Sequence, residues 1–178
     1  MAWHKITHPY RRSYSSLKKA AWETNENFCY ERIMIDEDYH NRLLLDMIDL
    51  CAFDFLIGNL DRHHMMRISA FGLNTGLVYV DNGRSFGRYD FDDLSILAPL
   101  TQCCFFRYST FQRLYQLYRQ GLSKLVQQSL QTIEQLQMIL VDEHLKALDR
   151  RLEILFLHLD NCIQTYSVNQ VIVDDGIN

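Results

Sequence analysis

The sequence has few residues that break regular structure and no stretch that resembles a membrane-spanning segment. Only two of its 178 residues are proline and seven are glycine, so long disordered regions are not expected. No apolar run reaches the roughly 20 residues that cross a bilayer, and the first residues lack the apolar stretch of a signal peptide. The net charge of −4 offers no excess of positive charge for binding nucleic acid through its phosphates.

Apolar residues are numerous enough for one hydrophobic core. They make up 48% of the chain, which is ample for one globular unit and short for two. We therefore expect a single domain over residues 1–178. Its first segment, residues 1–39, is polar with scattered aromatic side chains, and we expect it to be irregular.

Two segments have the apolar spacing of helices. The first covers about residues 40–57, where few charges interrupt the pattern, and the pair Gly58-Asn59 is a suitable C-terminal cap. The second covers about residues 142–166, and its first turn carries two acidic residues that interact favourably with the helix dipole. This pattern predicts a mainly α fold.

One small β element is expected between these helices. The run from Gly76 to Asp81 is short, apolar and β-branched, as strands are, and Asn82-Gly83 is a turn signal. Helices with one such element predict a mainly α fold of the α+β type.

Two shorter helices are predicted after this element. Each follows a residue that can cap a helix N-terminus and precedes a residue that ends helices. The predicted limits are Asp90 or Asp92 with Pro99 for the first helix, and Ser109 or Thr110 with Gly121 for the second.

Four polar residues, an acid, an arginine and two adjacent histidines, follow one another at Asp61-Arg62-His63-His64. Adjacent histidines can bind zinc, but a zinc site needs three or four ligands, and the remaining histidines are scattered along the sequence. A hydrogen-bonded structural role is therefore favoured for both histidines over a zinc site.

A second aspartate changes the interpretation of Asp61. Asp81 follows twenty residues later, directly before Asn82-Gly83. Kinases of the protein-kinase type use one loop aspartate to accept the proton of the substrate hydroxyl, and a second, at the start of a D-x-G turn, to hold the metal that bridges the nucleotide phosphates. The layout therefore favours phosphoryl transfer.

The stretches that carry this layout resemble a known family. In chain order they are YRRSYSSLKKAAWE, FDFLIGNLDRHH, VDNGRSFG, LSILAPLTQCC, STFQRL and HLKALDRRL. They are similar to the C-terminal region of the secretory-pathway kinases called "family with sequence similarity twenty", which include a Golgi casein kinase, a glycosaminoglycan xylosylkinase and a pseudokinase. The resemblance extends over nearly the whole chain and implies a protein-kinase-like C-lobe.

This resemblance implies roles for two aspartates. Asp61 would be the catalytic base, and Asp81 would bind Mn²⁺ or Mg²⁺ and, through the metal, the phosphates of ATP. It further implies Ser/Thr side chains of secreted proteins as acceptors, the Golgi lumen or the extracellular space as location, and a dimer with itself or a family relative. VDNGRSFG is nearer to the casein-kinase branch than to the xylosylkinase.

The five cysteines show no metal-binding spacing. An odd count without a signal peptide favours reduced thiols, but the adjacent pair Cys103-Cys104 also allows each to reach a different distant partner. The resemblance implies the disulfides Cys29–Cys103 and Cys104–Cys162, which require an oxidising compartment, and leaves Cys51 as a buried free thiol.

Two departures from the family pattern bear on activity. The chain has no Gly-rich loop and no strand with a phosphate-binding lysine, so we expect a C-lobe without its N-lobe, either as a fragment or as a short protein. Five residues after Asp61 the family usually has Glu, whereas this chain has Met66, whose thioether is a poor ligand for Mn²⁺ or Mg²⁺. An active kinase, a pseudokinase-like module that activates a relative, and a glycan kinase all remain open.

Overall fold

Helices account for most of the described backbone. The computed structural model describes residues 3–15, 17–40, 42–72, 75–174 and 176. The helices are α1 (Ala21–Thr24), α2 (Arg42–Ile57), α3 (Ala98–Cys103), α4 (Tyr108–Gln120), α5 (Leu122–Gln131), α6 (Asp142–Tyr166) and α7 (Val168–Val171). The strands are β1 (Trp3–Thr7), β2 (His64–Ile68), β3 (Phe106–Arg107) and β4 (Ile172–Val173). Short 3-10 turns lie at Glu37–Tyr39, Ser69–Phe71, Leu94–Leu97 and Glu134–Leu136, and a π-helical turn at Cys29–Ile33.

Helix α2 lies at the centre of the hydrophobic core. Thirteen of its 16 residues are buried, which explains why its apolar residues occur on every side rather than on one face. It packs against α3 and α6. The predicted helix at 40–57 is confirmed, and it ends where predicted because Gly58 adopts a φ of 68°, which favours glycine.

Helix α6 covers one side of α2 and has the predicted limits, 142–166. Its buried residues recur three or four positions apart, as expected for a helix with one buried face. They include Leu145, Leu148, Leu152, Leu155 and Leu159.

Over the described residues, the β structure consists of two small sheets rather than the single element that the sequence predicts. Strands β1 and β2 pair antiparallel, and β3 pairs with β4 in parallel. Segment 1–39, expected to be irregular, thus contributes β1, along with helix α1 and two short helical turns. The mainly helical fold class is confirmed.

The predicted strand at Gly76–Asp81 is wrong. In this segment Val78 alone forms a β-bridge, to Met66. Pairing stops there because the Val80 carbonyl accepts a hydrogen bond from Arg62 instead of from a strand. The chain also leaves the extended conformation at Asp81, whose φ is 62°.

The first of the two short helices has a different cap from those predicted. The capping residue is Asp93, whose carboxylate accepts a hydrogen bond of 3.0 Å from the backbone N–H of Ser95. Asp90 pairs with an exposed arginine, and Asp92 pairs with the buried Arg151. Both aspartates that the sequence predicts as helix caps therefore form ion pairs instead.

Two further predicted limits were wrong. Pro99 does not end a helix but lies in the first turn of α3, where the missing N–H leaves no hydrogen bond unmade. Helix α4 begins at Tyr108, before Ser109 and Thr110, without a side-chain cap. The stop at Gly121, with a φ of 83°, is confirmed.

Two disulfides bond segment 1–39 and helix α6 to the end of α3. Cys29 is bonded to Cys103 and Cys104 to Cys162, each with a Cα–Cα distance of 5.3 Å. These are the pairings that the family resemblance implies. Cys104 adopts a left-handed conformation with a φ of 52°, so the neighbouring sulfurs reach different partners. Cys51 is free and buried, and burial raises the pKa of its thiol.

Candidate active site

The loop that follows α2 is shaped by the buried carboxylate of Asp54, on α2, and by the buried amide of Asn59. Asn59, which is 1% exposed, donates to Asp54 at 3.1 Å and accepts from the backbone N–H of Asp61 at 3.2 Å. A Cβ on Gly58 would lie 2.8 Å from a nitrogen of Arg151, so a larger residue does not fit there. These contacts bring the chain out of the core and place Asp61 at the surface.

Three groups contact the carboxylate of Asp61. The Tyr14 hydroxyl donates a hydrogen bond to Oδ1, His63 Nε2 lies 2.7 Å from Oδ1, and Arg84 Nε lies 3.0 Å from Oδ2. The hydrogen bond from Tyr14, aided by the charge of Arg84, lowers the pKa of Asp61 below its usual value. The lowered pKa favours the ionised carboxylate, and the side chain, which is 20% exposed, is accessible from solution.

Arg62 connects this loop to the segment that carries Asp81. Its Nε and Nη2 atoms lie 2.8 and 2.7 Å from the two carboxylate oxygens of Asp54. Its Nη1 donates to the carbonyl of Val80 and its Nη2 donates to Asn82 Oδ1 at 2.6 Å. Burial raises the pKa of Asp54, and the bonds from Arg62 oppose that shift.

Asp81 is an exposed residue at the turn between these anchored neighbours. Its negative charge acts on His64, where it opposes the lowering of the imidazole pKa that burial causes. Arg84, three residues further along, contacts Asp61 directly. The structure therefore joins the segments of the two predicted aspartates through Arg62 and through Arg84.

The two adjacent histidines have different surroundings. The His63 ring contacts Asp61 and packs 5.4 Å, between centroids, from the ring of Tyr14. His64 begins strand β2, where it pairs with Thr7. Within the residues that the structure describes, no three His, Cys, Asp or Glu side chains come together as metal ligands.

The two methionines after the histidines lie in strand β2. Met65 is 1% exposed and belongs to the core. Met66 pairs with Lys5 and bridges to Val78, and its side chain is partly buried. A hard divalent cation prefers oxygen ligands. Asp81 offers such an oxygen at the surface, whereas the Met66 side chain carries none.

Several residues of the site were not singled out by the sequence. Tyr14 and Arg84 lie within stretches that resemble the family, but no local pattern predicts their contact with Asp61. Asp54 lies in the last turn of the buried helix α2, and Asn59 follows its end. Two polar residues in an apolar segment were the signal by which the sequence could have indicated a buried hydrogen bond.

A comparison with known proteins assigns the chain to a family. The geometry is that of a kinase-like C-lobe with a loop aspartate and a second aspartate at a nearby turn. A family model described as "Fam20C: Golgi casein kinase, C-terminal, Fam20" matches residues 1–171. The chain therefore belongs to the Fam20 family.

Individual relatives are similar over nearly the whole chain. The human extracellular serine/threonine protein kinase FAM20C is 41% identical over 169 residues, which is 94% of this chain and 29% of the relative. Human pseudokinase FAM20A is 40% identical over 175 residues, 97% of this chain and 32% of the relative. The chain thus spans about a third of the length of these relatives.

The fold also matches solved structures of the family. A crystal structure of the Golgi casein kinase with Mn/ADP bound superimposes with a TM-score of 0.90 at 37% identity, covering 96% of this chain and 42% of that one. The chain thus has the fold of the C-terminal region of such kinases. No helix among the described residues is long and apolar enough to cross a membrane.

Proposed function

We propose that this chain is the C-lobe of a secretory-pathway kinase that transfers phosphate from ATP to Ser/Thr side chains of secreted proteins. The observation that carries the proposal is the ionised, accessible Asp61, joined through Arg62 and Arg84 to the turn of Asp81. Proton acceptance and phosphate binding need separate carboxylates that lie near each other. Similarity to kinases of the Fam20 family supports the same conclusion.

Asp61, Asp81 and Arg62 each have a defined task in this reaction. Asp61 accepts the proton of the substrate hydroxyl, which takes the place of the Tyr14 hydroxyl as hydrogen-bond donor to the carboxylate. Asp81 holds Mn²⁺ or Mg²⁺ through its carboxylate. When bound, the metal neutralises charge on the phosphates of ATP. Arg62 keeps the two segments together.

The disulfides support a location in the secretory pathway. Bonds such as Cys29–Cys103 and Cys104–Cys162 persist in oxidising compartments. Relatives of the chain are named extracellular kinases. We place the protein in the Golgi lumen or outside the cell, with secreted proteins as substrates and with itself or a family relative as a dimer partner.

Phosphate transfer from ATP to an acidic serine peptide, measured with Mn²⁺, tests the proposal. Transfer should fall to background in Asp61→Asn and in Asp81→Ala. The matched control is Asp90→Ala, since Asp90 is an exposed aspartate that pairs with the exposed Arg88. If the unaltered chain transfers phosphate, equal transfer by all three variants contradicts the assignment of Asp61 and Asp81.

A second function is favoured by Met66, which puts a thioether where the family usually has Glu. A chain with a weakened metal site can still bind a relative, as a pseudokinase-like activator. This alternative predicts no transfer by the chain alone and faster transfer by FAM20C when the chain is added. A third arm replaces the peptide with a xylose-bearing glycan, because transfer to that acceptor alone would indicate a glycan kinase.

A further inference from the structure

Arg62 bonds at once to three residues in two parts of the fold, helix α2 and the turn that carries Asp81. Its Nε and Nη2 hold both carboxylate oxygens of Asp54 on α2, at 2.8 and 2.7 Å. Its Nη1 donates to the Val80 carbonyl, and Nη2 also donates to Asn82 Oδ1 at 2.6 Å. Every nitrogen of the guanidinium group therefore has an acceptor, and two of the acceptors flank Asp81.

The anchor of this arrangement is rigid. The side chains of Arg62 and Asp54 are 9% and 2% exposed, and their two parallel bonds fix the plane of the guanidinium group. Asn59 holds the same carboxylate from the other side at 3.1 Å. Arg62 cannot swing away without leaving a buried charge unpaired, which is costly.

The turn that Arg62 holds is also attached through Arg84, which pairs with Asp61, and through the Phe86 N–H, which donates to the Ile57 carbonyl. Val78 makes one bridge to β2, and Asn82 closes the turn on itself by donating to the Tyr79 carbonyl at 3.1 Å. Asp81 has a φ of 62°, a left-handed conformation that is uncommon for non-glycine residues but that aspartate adopts more readily than most.

We propose that Arg62 is a positioning residue that fixes the turn carrying Asp81 against the loop carrying Asp61. It does so by tying the residues on both sides of Asp81 to a carboxylate on α2. The inference rests on the proposed function only because it treats Asp61 and Asp81 as the reactive pair. The link that Arg62 makes between α2 and the turn follows from its hydrogen bonds alone.

The variant Arg62→Lys tests the proposal because it keeps the positive charge and loses the planar fork. We expect amide hydrogen exchange in residues 77–88 to become at least about tenfold faster while exchange in α6 is unchanged. The dissociation constant of Mn²⁺, measured by electron paramagnetic resonance, should rise by about 10- to 100-fold, as for other residues that orient metal ligands.

Two further variants separate positioning from general stability. Asn82→Ala removes one of the ties and leaves the Arg62–Asp54 pair intact, so it should reproduce the local change in exchange in a folded protein. Arg107→Lys is the matched control, because Arg107 is 4% exposed and pairs with Asp46 and Asp49 on α2. It should lower global stability and leave Mn²⁺ affinity as it is.

The outcomes are distinct. Unchanged exchange at 77–88 in both Arg62→Lys and Asn82→Ala overturns the proposal. An equal rise across 77–88 and α6 in Arg62→Lys also overturns it, since Arg62 would then support the whole fold. If the unaltered chain binds no Mn²⁺, the assigned role of Asp81 fails, and the exchange rates still decide whether Arg62 fixes the turn.

Discussion

The two disulfides close loops of similar length but hold different parts of the molecule. The bonded cysteines are 74 residues apart in Cys29–Cys103 and 58 apart in Cys104–Cys162. The loop-entropy relation gives about 4.4 kcal/mol for the longer loop and about 4.2 kcal/mol for the shorter one. Either value is a large share of the roughly 5–15 kcal/mol by which domains are stable.

Replacing each pair by alanines should therefore cost similar stability and have different effects on the site. Removing Cys29–Cys103 takes away one attachment of segment 1–39, which carries the Tyr14 that bonds to Asp61. Removing Cys104–Cys162 loosens the far end of α6, which lies outside the contacts of the Asp61 carboxylate described above. The pKa of Asp61 should thus rise toward its usual value only in the first variant.

Urea unfolding at neutral pH measures the free energy of each variant, and carboxyl NMR titration measures the pKa of Asp61. Cys51→Ala is the control, because Cys51 is buried and unbonded. A loss below about 1 kcal/mol in both double variants would refute the loop-entropy reasoning. An equal shift of the Asp61 pKa in both would refute the link from Cys29–Cys103 to the site.

Three other changes have defined outcomes. Burial lowers the pKa of His8 to about 3, below its ordinary value in the unfolded chain. As the pH falls, the unfolded chain therefore binds the proton before the folded one, and the free energy of unfolding should fall by about 2 kcal/mol from pH 6.5 to pH 5. Urea unfolding at both pH values should show a smaller fall in His8→Asn, and an unchanged fall contradicts the cause. Met66→Glu should lower the Mn²⁺ dissociation constant by about tenfold, as measured by electron paramagnetic resonance, and an unchanged constant argues against a metal-side position. Tyr14→Phe removes a hydrogen bond from Asp61, so the NMR pKa of Asp61 should rise, and no rise means that Tyr14 does not hold the carboxylate.

The sequence predicts those elements whose pattern is local and long. Helix α6 shows one apolar stripe over 25 residues, and α2 is apolar on all sides. The end of α2 was predicted from Gly58-Asn59 and the start of α6 from two acidic residues in its first turn. Both signals are local in the sequence. The start of the shorter helix at Leu94–Leu97 was misplaced because three nearby aspartates have equal local propensity. Arg151, distant in sequence, removes Asp92 from that choice.

Strand β2 could not be predicted from its own residues. In its five residues, HMMRI, apolar and polar side chains do not alternate regularly along the sequence. The partner β1 lies about 60 residues earlier, in a segment without periodicity. In the same way, the pair Asp61 and Asp81 follows from spacing, whereas the contacts of Tyr14 and Arg84 with Asp61 join segments that only the fold brings together.

The segment from Val80 to Phe91 shows what replaces regular structure around the site. Backbone carbonyls there are bonded to arginine side chains rather than to strands or helices. Arg62 binds the carbonyl of Val80, and Arg151 binds those of Arg88 and Phe91 at 2.7 and 3.2 Å. Each of these two arginines is itself fixed by a buried or half-buried aspartate. Because one guanidinium group can satisfy a carboxylate and several carbonyls together, such a segment keeps a defined path without a strand pattern in its sequence. Arg62 is bonded to the residues on both sides of Asp81, which is why Arg62→Lys is expected to affect the site more than the fold.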